Sequence, residues 1–228
     1  MRRPAKSSAA KSAVRPRRPA SRAPAQKPYH HGDLRRVLIE AALQLVSEGG
    51  MDAVSVREAA RRAGVSPGAP FRHFPSRDAL IQAVAEEAQR RFRAEIETAL
   101  AAAPPGDPLG RFRCLGLAYL RWAMRNPTHF EIISSRRLFD HDRADAISCD
   151  NAELIALTER TLADAFAAGQ LHVPDLKQVQ IAGRALVYGF ARMNIDGHFP
   201  RWGVAAGEAE RTAEAVLDLF IAGIAKRM

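Results

Sequence analysis

Residues 54–66 read VSVREAARRAGVS, which is typical of two short helices joined by a tight turn. Ser55 suits an N-cap, and Glu58 three residues later completes a capping box. Two adjacent alanines let a second helix approach closely, and Gly64 supplies the left-handed backbone that such a turn needs. The pattern predicts a helix-turn-helix, whose second helix would project its first residues into a DNA major groove.

The helix after the turn is predicted to be short. Ser66 can cap it, and Pro67 suits its first position, where the missing N–H has no helical partner in any case. Pro70 removes one early helical hydrogen bond and disfavours helical backbone at Ala69. We therefore expect a recognition helix that ends near residues 73–75 and is partly 3₁₀.

The rest of the chain carries a helical period in its apolar residues and little of the alternation that strands need. A first helix begins near Leu34 and ends at Gly49-Gly50, and Ser76 can cap a long helix that continues to about residue 103. Further helices are predicted at about 108–125, 127–139, 149–169, 175–196 and 207–226. The predicted fold class is all-α, with about nine helices: an N-terminal three-helix helix-turn-helix domain and a larger C-terminal helical domain.

Composition excludes several classes of protein. The 228 residues contain only two cysteines, Cys114 and Cys149, which excludes a disulfide framework and a four-cysteine zinc site and indicates a reducing compartment. No apolar run approaches the roughly 18–20 residues that span a bilayer, and the basic N-terminus lacks the apolar segment of a secretory signal. We therefore expect a cytoplasmic protein with no membrane partner.

Residues 29–80 resemble the DNA-binding domain of the TetR family of bacterial repressors. The run GVSPGAPFRHFPSRDAL at residues 64–80 is similar to that family's glycine-valine-serine turn, recognition helix, aromatic-x-histidine-phenylalanine and serine-lysine-glutamate-x-leucine sequence. Further along, Val187-Tyr188-Gly189-Phe190 followed by Asp196-Gly197 is similar to a subgroup marked by a tryptophan-histidine-glycine segment, although the first two residues differ.

The resemblance implies a role in DNA binding for a set of residues in the turn and around it. Those at the start of the second helix, together with a histidine and an arginine further on, would contact phosphates, and those at the tip of the recognition helix would face base edges. Phe71 stands where the family usually has a tyrosine, so it would make an apolar contact to DNA or pack. The full set is Ser55, Arg57, Pro67, Gly68, Ala69, Phe71, Arg72, His73 and Arg77.

The recognition tip is poor in hydrogen-bond donors, so direct base readout would depend on Arg72, on backbone groups or on DNA shape. Arg77 replaces the family's usual lysine and would keep its phosphate contact. Phe74 is interpreted as a core residue. Arg61 and Arg62 are interpreted as a solvated helix face.

The net charge of +9 lies on the first 28 residues. They hold nine basic residues and no acidic one, whereas residues 29–228 hold 25 of each sign. Rich in Pro, Ala and Ser, this segment is predicted to be a disordered basic arm. Two interpretations stay open: a solubilising tail or a wrongly assigned start, and an arm whose Arg22 and Lys27 reach a phosphate or minor groove.

The predicted domains are therefore the arm at 1–28, the helix-turn-helix domain at 29–78 and an effector-binding and dimerisation domain at 79–228. The resemblance implies an effector pocket in the last of these, with apolar walls and a few polar groups. Its predicted residues are Tyr119, Trp122, His129, Phe130, Ile133, Phe166, Arg184 and Tyr188, with Arg136 and Asn194 as further polar candidates. The last two helices are predicted to form a dimer face, at Ile181, Ala185, Gly189, Val216, Leu217, Phe220, Ile221 and Ile224.

These features predict a sequence-specific transcriptional regulator: a homodimeric repressor that a small apolar or amphipathic effector releases from a palindromic operator. The alternative is a nonspecific nucleic-acid-binding protein driven by the arm. An enzyme is disfavoured, because the acidic residues around His141 (Asp140, Asp142 and Asp145) resemble a polar loop and Cys149 has no evident base. No metal and no cofactor are expected.

Overall fold

The computed structural model describes residues 31–134, 145–205 and 207–227. These residues form eight α-helices and three 3₁₀ turns, with one isolated β-bridge among them. The prediction of an all-α fold is confirmed, although the helix predicted at 66–73 contains only the 3₁₀ turn Pro70–Arg72. The α-helices are α1 (His31–Gly49), α2 (Val56–Arg62), α3 (Arg77–Ala101), α4 (Pro108–Arg125), α5 (Pro127–Ser134), α6 (Asp145–Ala167), α7 (Leu176–Ile195) and α8 (Ala209–Ile224).

The helix-turn-helix follows the local chemistry of its sequence. The Ser55 hydroxyl oxygen caps α2 by accepting the backbone N–H of Glu58 at 3.0 Å. Ser76 caps α3 by accepting the backbone N–H of Ala79 at 3.1 Å. Gly64 has a φ of +67°, so the chain leaves α2 through the left-handed region that glycine adopts at little cost. The predicted caps at Ser55 and Ser76 and the predicted turn at Gly64 are confirmed. The Ser66 side chain caps no helix among the described residues, and the Glu58 carboxylate binds Arg61 instead of completing a capping box.

Residues 66–74, which we call the recognition segment, connect α2 to α3. Pro70 opens the 3₁₀ turn and is itself buried. The His73 N–H then donates to the Pro70 carbonyl at 2.9 Å. A regular α-helix would need a donor that Pro70 lacks, which explains why the segment stays short and partly 3₁₀, as predicted.

Two apolar cores divide the chain, and α3 belongs to both. The first core joins α1, α2 and the recognition segment to α3 as far as Ala85. The second core begins on α3 at Phe92 and includes parts of α4, α5, α7 and α8. We call the two parts the head and the body. Helix α3 is continuous, so it connects the second core directly to the end of the recognition segment.

Helix α5 ties the body to the head a second time. Ile132 is fully buried, and it lies in the first core with residues of α1 and α3. Its neighbour along the chain, Phe130, is 1% exposed and lies in the second core. This short helix therefore contributes a fully or almost fully buried side chain to each core.

The body packs α4 against α6, α7 and α8. Gly116 of α4 allows a close approach, because a Cβ there would lie 3.0 Å from the side chain of Leu217 on α8. A third apolar cluster, around Leu162 and Ile224, closes the far end of the body. Among the described residues, no helix combines the length and the apolar character that crossing a bilayer requires.

Candidate nucleic-acid interface and regulatory elements

The recognition segment presents a small, weakly polar surface. Pro67, Gly68 and Arg72 are exposed, and Ala69 is half-buried. Beneath them Phe74 is 2% exposed and belongs to the first core, as predicted. The buried side anchors the segment to the head, and the exposed side leaves backbone groups and one guanidinium for a partner.

Phe71 lies on the exposed side of this segment, with 43% of its surface accessible. It is one of the few large apolar side chains in the described residues that the protein leaves in water. An apolar ring at this place can contact a sugar or a thymine methyl, the chemistry that the sequence left open beside simple packing.

Two arginines flank this surface. Within the described residues, Arg57 at the start of α2 and Arg72 on the recognition segment form no hydrogen bond or ion pair. Ser55 uses its oxygen as an acceptor for the α2 cap, so its hydroxyl proton remains available for donation. His73 is half-buried beside them. The arrangement offers cationic and hydroxyl donors, which are the groups that bind phosphate oxygens.

The next two arginines along α2 are occupied instead. Arg61 binds Glu58, its Nε donating to Oε2 at 2.9 Å, and Arg62 binds Glu48 of α1, its Nη1 donating to Oε1 at 2.7 Å. These guanidiniums hold the pKa values of both carboxyls below their usual range. The pairs lie at the solvent-exposed surface, in agreement with the interpretation of these arginines as a solvated helix face.

Arg77 has a structural partner that the sequence did not reveal. Its Nε donates to the Val54 carbonyl at 2.9 Å, and its Nη2 donates to the Met51 carbonyl at 2.7 Å. The guanidinium thereby fixes the start of α3 against the 3₁₀ turn Met51–Ala53, which precedes α2. Its predicted phosphate contact stays a prediction and would have to use the remaining N–H groups of Nη1 and Nη2.

A charged cluster joins the head to the body. Arg91 of α3 pairs with Glu40 of α1 and donates from Nε to Glu87 at 2.7 Å. Its Nη1 lies 3.2 Å from Nε2 of His129, on α5. Hydrogen bonds from Arg90 and Arg91 lower the pKa of Glu87 to about 2, so this carboxylate stays ionised.

His129 is neutral in this cluster. Burial lowers its pKa, and the nearby positive charge of Arg91 lowers it further. A neutral imidazole can accept the Arg91 N–H at Nε2, whereas a protonated ring would place two cations face to face. His129 is a predicted effector residue, and its contact with Arg91 places it at the junction of head and body.

Four aromatic rings pack together inside the body. Phe92 lies 5.5 Å from Tyr119 and 4.8 Å from Trp122, and Phe130 lies 5.9 Å from Tyr119, measured between ring centroids. The guanidinium of Arg184 lies 4.7 Å from the Tyr119 ring centre and 5.6 Å from that of Tyr188. Burial raises the Tyr119 pKa to about 12.

The structure thus brings together most of the predicted effector residues, and Ile133 also packs against the second core. Phe166 is the exception, because it lies 47% exposed on α6. Asn194 is half-buried on α7. The assignment of these residues to an effector site stays a prediction.

A cleft of about 270 Å³ lies between α3 and α6, on the other side of Phe92. Apolar side chains form its walls, and charged ones form its rim. None of the predicted pocket residues in the described part of the chain lines it. It is lined by Gln89, Phe92, Arg93, Ile96, Glu97, Leu100, Glu153, Leu154, Ala156, Leu157 and Arg160.

An exposed apolar stripe runs over α7 and α8. Ile181 is 59% exposed and Leu219 is 75% exposed, with the small residues Ala182, Ala185 and Ala222 also at the surface. Of the predicted dimer residues, Gly189, Val216, Phe220 and Ile221 are half-buried. Leu217 and Ile224 are buried inside the protomer, so they support this face from beneath.

Several candidate residues fall outside the described part of the chain. Residues 1–30, which include the arm, and residues 135–144, which include Arg136 and His141, are among them. The side chains of Asp145 and Cys149 are likewise outside it. Among the described residues, no group of three His, Cys, Asp or Glu side chains could hold a metal ion.

A capped helix-turn-helix with two exposed arginines beside an exposed tip, mounted on a helical body, is typical of DNA-binding regulators. Two family models match the chain: bacterial regulatory proteins of the tetR family over residues 38–84, and the tetracyclin repressor-like C-terminal domain over residues 112–220. Together the two segments span more than half of the chain. The chain belongs to the TetR family and is a DNA-binding transcriptional regulator.

Named relatives and a solved structure agree with this assignment. The HTH-type transcriptional regulator BetI of Yersinia pestis is 27% identical over 57% of this chain and 75% of its own length. The HTH-type transcriptional repressor KstR of Mycolicibacterium smegmatis is 30% identical over 60% of this chain and 64% of its own. A protein of unknown function from Rhodococcus sp. RHA1 superposes with a TM-score of 0.70 at 29% identity, covering 88% of this chain and all of that one. Nothing in these comparisons supports the alternative of a nonspecific binder.

Proposed function

We propose that the chain is a homodimeric repressor that binds a palindromic operator and leaves it when a small apolar or amphipathic effector binds the body. The observation that carries this proposal is the continuity of α3. This helix begins at the recognition segment, belongs to the first core as far as Ala85 and enters the second core at Phe92. A body conformation that shifts α3 shifts the DNA-reading surface with it.

The proposed DNA contacts divide by chemistry. Ser55, Arg57 and His73 bind phosphates and set the position of the head on the duplex. Arg72 reads a guanine edge, and Phe71 makes the apolar contact. Pro67, Gly68 and Ala69 let the backbone come close to the bases, and Arg77 adds a phosphate contact while it holds the start of α3.

The proposed dimer uses the exposed stripe of α7 and α8. Exposed apolar side chains such as Ile181 and Leu219 stabilise the dimer when a second copy covers them and removes them from water. Small residues between them let the helices of two protomers approach closely. A dimer also places two recognition segments about 34 Å apart, the repeat of a palindrome in B-DNA.

The proposed release is a shift between two populations of the dimer. The effector binds more tightly to a state whose two heads no longer match the spacing of the grooves. A coupling free energy of about 1–3 kcal/mol between effector and operator is typical of such proteins. The domain division at 1–28, 29–78 and 79–228 assigns the arm to phosphate contacts, the middle segment to the operator and the last to the effector and the dimer. Acting on a bacterial chromosome, the protein works in the cytoplasm, and no catalytic step is assigned to it.

The test is a binding titration on the intergenic DNA upstream of the protein's own gene, against a scrambled duplex at about physiological salt. We expect a preference of at least about 10³ for the native duplex. Equal affinity for the two duplexes would contradict specific binding to this DNA. Footprinting of the native duplex then shows whether the protected site is palindromic.

A truncation of residues 1–28 separates the arm from the head. A sequence-specific head keeps its preference for the native duplex without the arm, while overall affinity falls and depends less on salt, because nine positive charges are gone. Loss of nearly all binding on truncation would instead favour the arm-driven alternative.

A further inference from the structure

The described part of the chain buries two polar side chains in its interior, and they differ in their hydrogen bonding. Thr161 of α6 is 4% exposed, and its hydroxyl donates to the Leu157 carbonyl at 2.8 Å, within its own helix. Gln89 of α3 is 3% exposed, and its amide forms no hydrogen bond with any other described residue. A buried amide without a partner is costly, so Gln89 is a group that a bound molecule can satisfy.

Gln89 lines the cleft between α3 and α6. From there the cleft follows α3 to Leu100, a distance of about 16 Å at the rise of an α-helix. Its walls are Phe92, Ile96, Leu154 and Leu157 between these ends. The volume of about 270 Å³ is close to the lower end of the roughly 300–1,000 Å³ found for small-molecule sites. The shape suits an elongated apolar molecule.

The rim of the cleft carries no net charge. Arg93 pairs with Glu153 at 2.6 Å and with Glu97 at 3.0 Å, so its charge is balanced by carboxylates. Arg160 is the other base of the rim, and it is exposed. A carboxylate ligand would find no net attraction at this rim and would lose solvation beside the neutral amide of Gln89. The chemistry therefore favours an uncharged ligand.

We propose that this cleft binds an elongated, uncharged, largely apolar molecule that bears one alcohol or ketone oxygen, and that Gln89 hydrogen-bonds to this oxygen. The inference rests on the proposed function, because it names the chemistry of the effector. It places the effector on α3, the helix that carries the recognition segment at its start. It also separates the effector from the packed cluster of Tyr119, Trp122 and Phe130, which Phe92 divides from the cleft.

The experiment uses the full chain, 1-decanol and 2-decanone as probes, and decanoate as the charged counterpart. Binding is measured by calorimetric titration. Gln89→Leu removes the hydrogen-bonding group and keeps the volume. Gln82→Leu is the matched control, because Gln82 is exposed on the same helix and donates to Glu86. Ala156→Trp fills the cleft from α6.

We expect saturable binding of both neutral probes and much weaker binding of decanoate. Gln89→Leu weakens the neutral probes about tenfold, as the loss of one buried hydrogen bond implies, and Gln82→Leu leaves them unchanged. Ala156→Trp abolishes binding. No saturable binding of either neutral probe, or equal affinity in the Gln89→Leu and wild-type proteins, would overturn the inference.

Operator titration of the same samples keeps the two proposals apart. If the protein prefers its operator but does not bind the probes, the proposed repressor function stands and this inference is wrong. If the protein binds the probes through Gln89 but is not released from its operator, the cleft is a binding site but not the effector site. Release by 1-decanol in the wild type, and not in Ala156→Trp, supports both.

Discussion

The buried amide of Gln89 leads to a prediction about the free energy of unfolding in the absence of any ligand. Replacing it with leucine removes an unsatisfied buried polar group, which costs roughly 1–3 kcal/mol in proteins. We expect Gln89→Leu to raise the free energy of unfolding by about 1 kcal/mol or more, measured by urea denaturation. The exposed Gln82→Leu should stay within about 0.5 kcal/mol of the wild type. A destabilised Gln89→Leu would mean that the amide already has a partner.

The lowered pKa of His129 leads to a prediction about how the stability of the fold depends on pH. Its pKa lies below the usual 6.5 in the folded protein, mainly because it is buried. As the pH falls, the unfolded chain therefore binds a proton before the folded one does, and the folded state loses stability below about pH 6.5. The loss stops growing once the pH is below the folded-state pKa. Glu87 does not add to this effect above about pH 5, because the unfolded chain protonates that carboxyl only near its ordinary pKa of 4.5, and the folded protein only near 2.

The measurement is the urea midpoint at about pH 7.5 and about pH 5.5. His129→Gln keeps a side chain that can accept the Arg91 N–H and removes the titration, so its midpoint should change less between the two pH values than that of the wild type. The exposed His198 provides the control, since His198→Gln should behave as the wild type does. An unchanged pH dependence in His129→Gln would contradict the assignment.

At the scale of elements, the turn between α2 and the recognition segment depends on one left-handed residue. Gly64 has a φ of +67°, and an alanine there costs about 1–2 kcal/mol. We expect Gly64→Ala to lose that much stability and to weaken operator binding, since the recognition segment leaves α2 at this point. Gly68→Ala is the control for stability, because its backbone is not left-handed and an added Cβ meets open space. Equal stabilities of the two variants would refute the argument.

Other features at this scale lay beyond sequence reasoning. The caps at Ser55 and Ser76 were predictable because the accepting hydroxyl oxygen and the backbone N–H that donates to it lie three residues apart. The Arg77 contact with the Met51 carbonyl joins residues 26 positions apart, and the Arg91–Glu40 pair joins residues 51 apart. Pairings of that kind depend on how helices cross, which periodicity does not encode. The isolated amide of Gln89 looked like any helical glutamine until its burial was known.

At the scale of the whole molecule, the exposed stripe of α7 and α8 makes a prediction about assembly. Leu219→Glu places a charge in the proposed dimer face, where desolvation makes it unfavourable. We expect a folded monomer by sedimentation equilibrium and a large loss of operator affinity, because two linked heads bind a palindrome more tightly than one. Phe166→Glu is the matched control on α6, outside the stripe, and should remain dimeric. A dimeric Leu219→Glu would place the interface elsewhere.

The buried side chain of Ile132 gives the release of DNA a further physical meaning. It fills a place in the head core although it belongs to a helix of the body. A body conformation that withdraws α5 leaves a void there, and voids of that size soften the structure around them. The recognition segment would then lose both its rigidity and its position in the same conformational change. The head is therefore a poor module for fusion to another protein, because the new partner would have to supply a side chain that fills the place of Ile132.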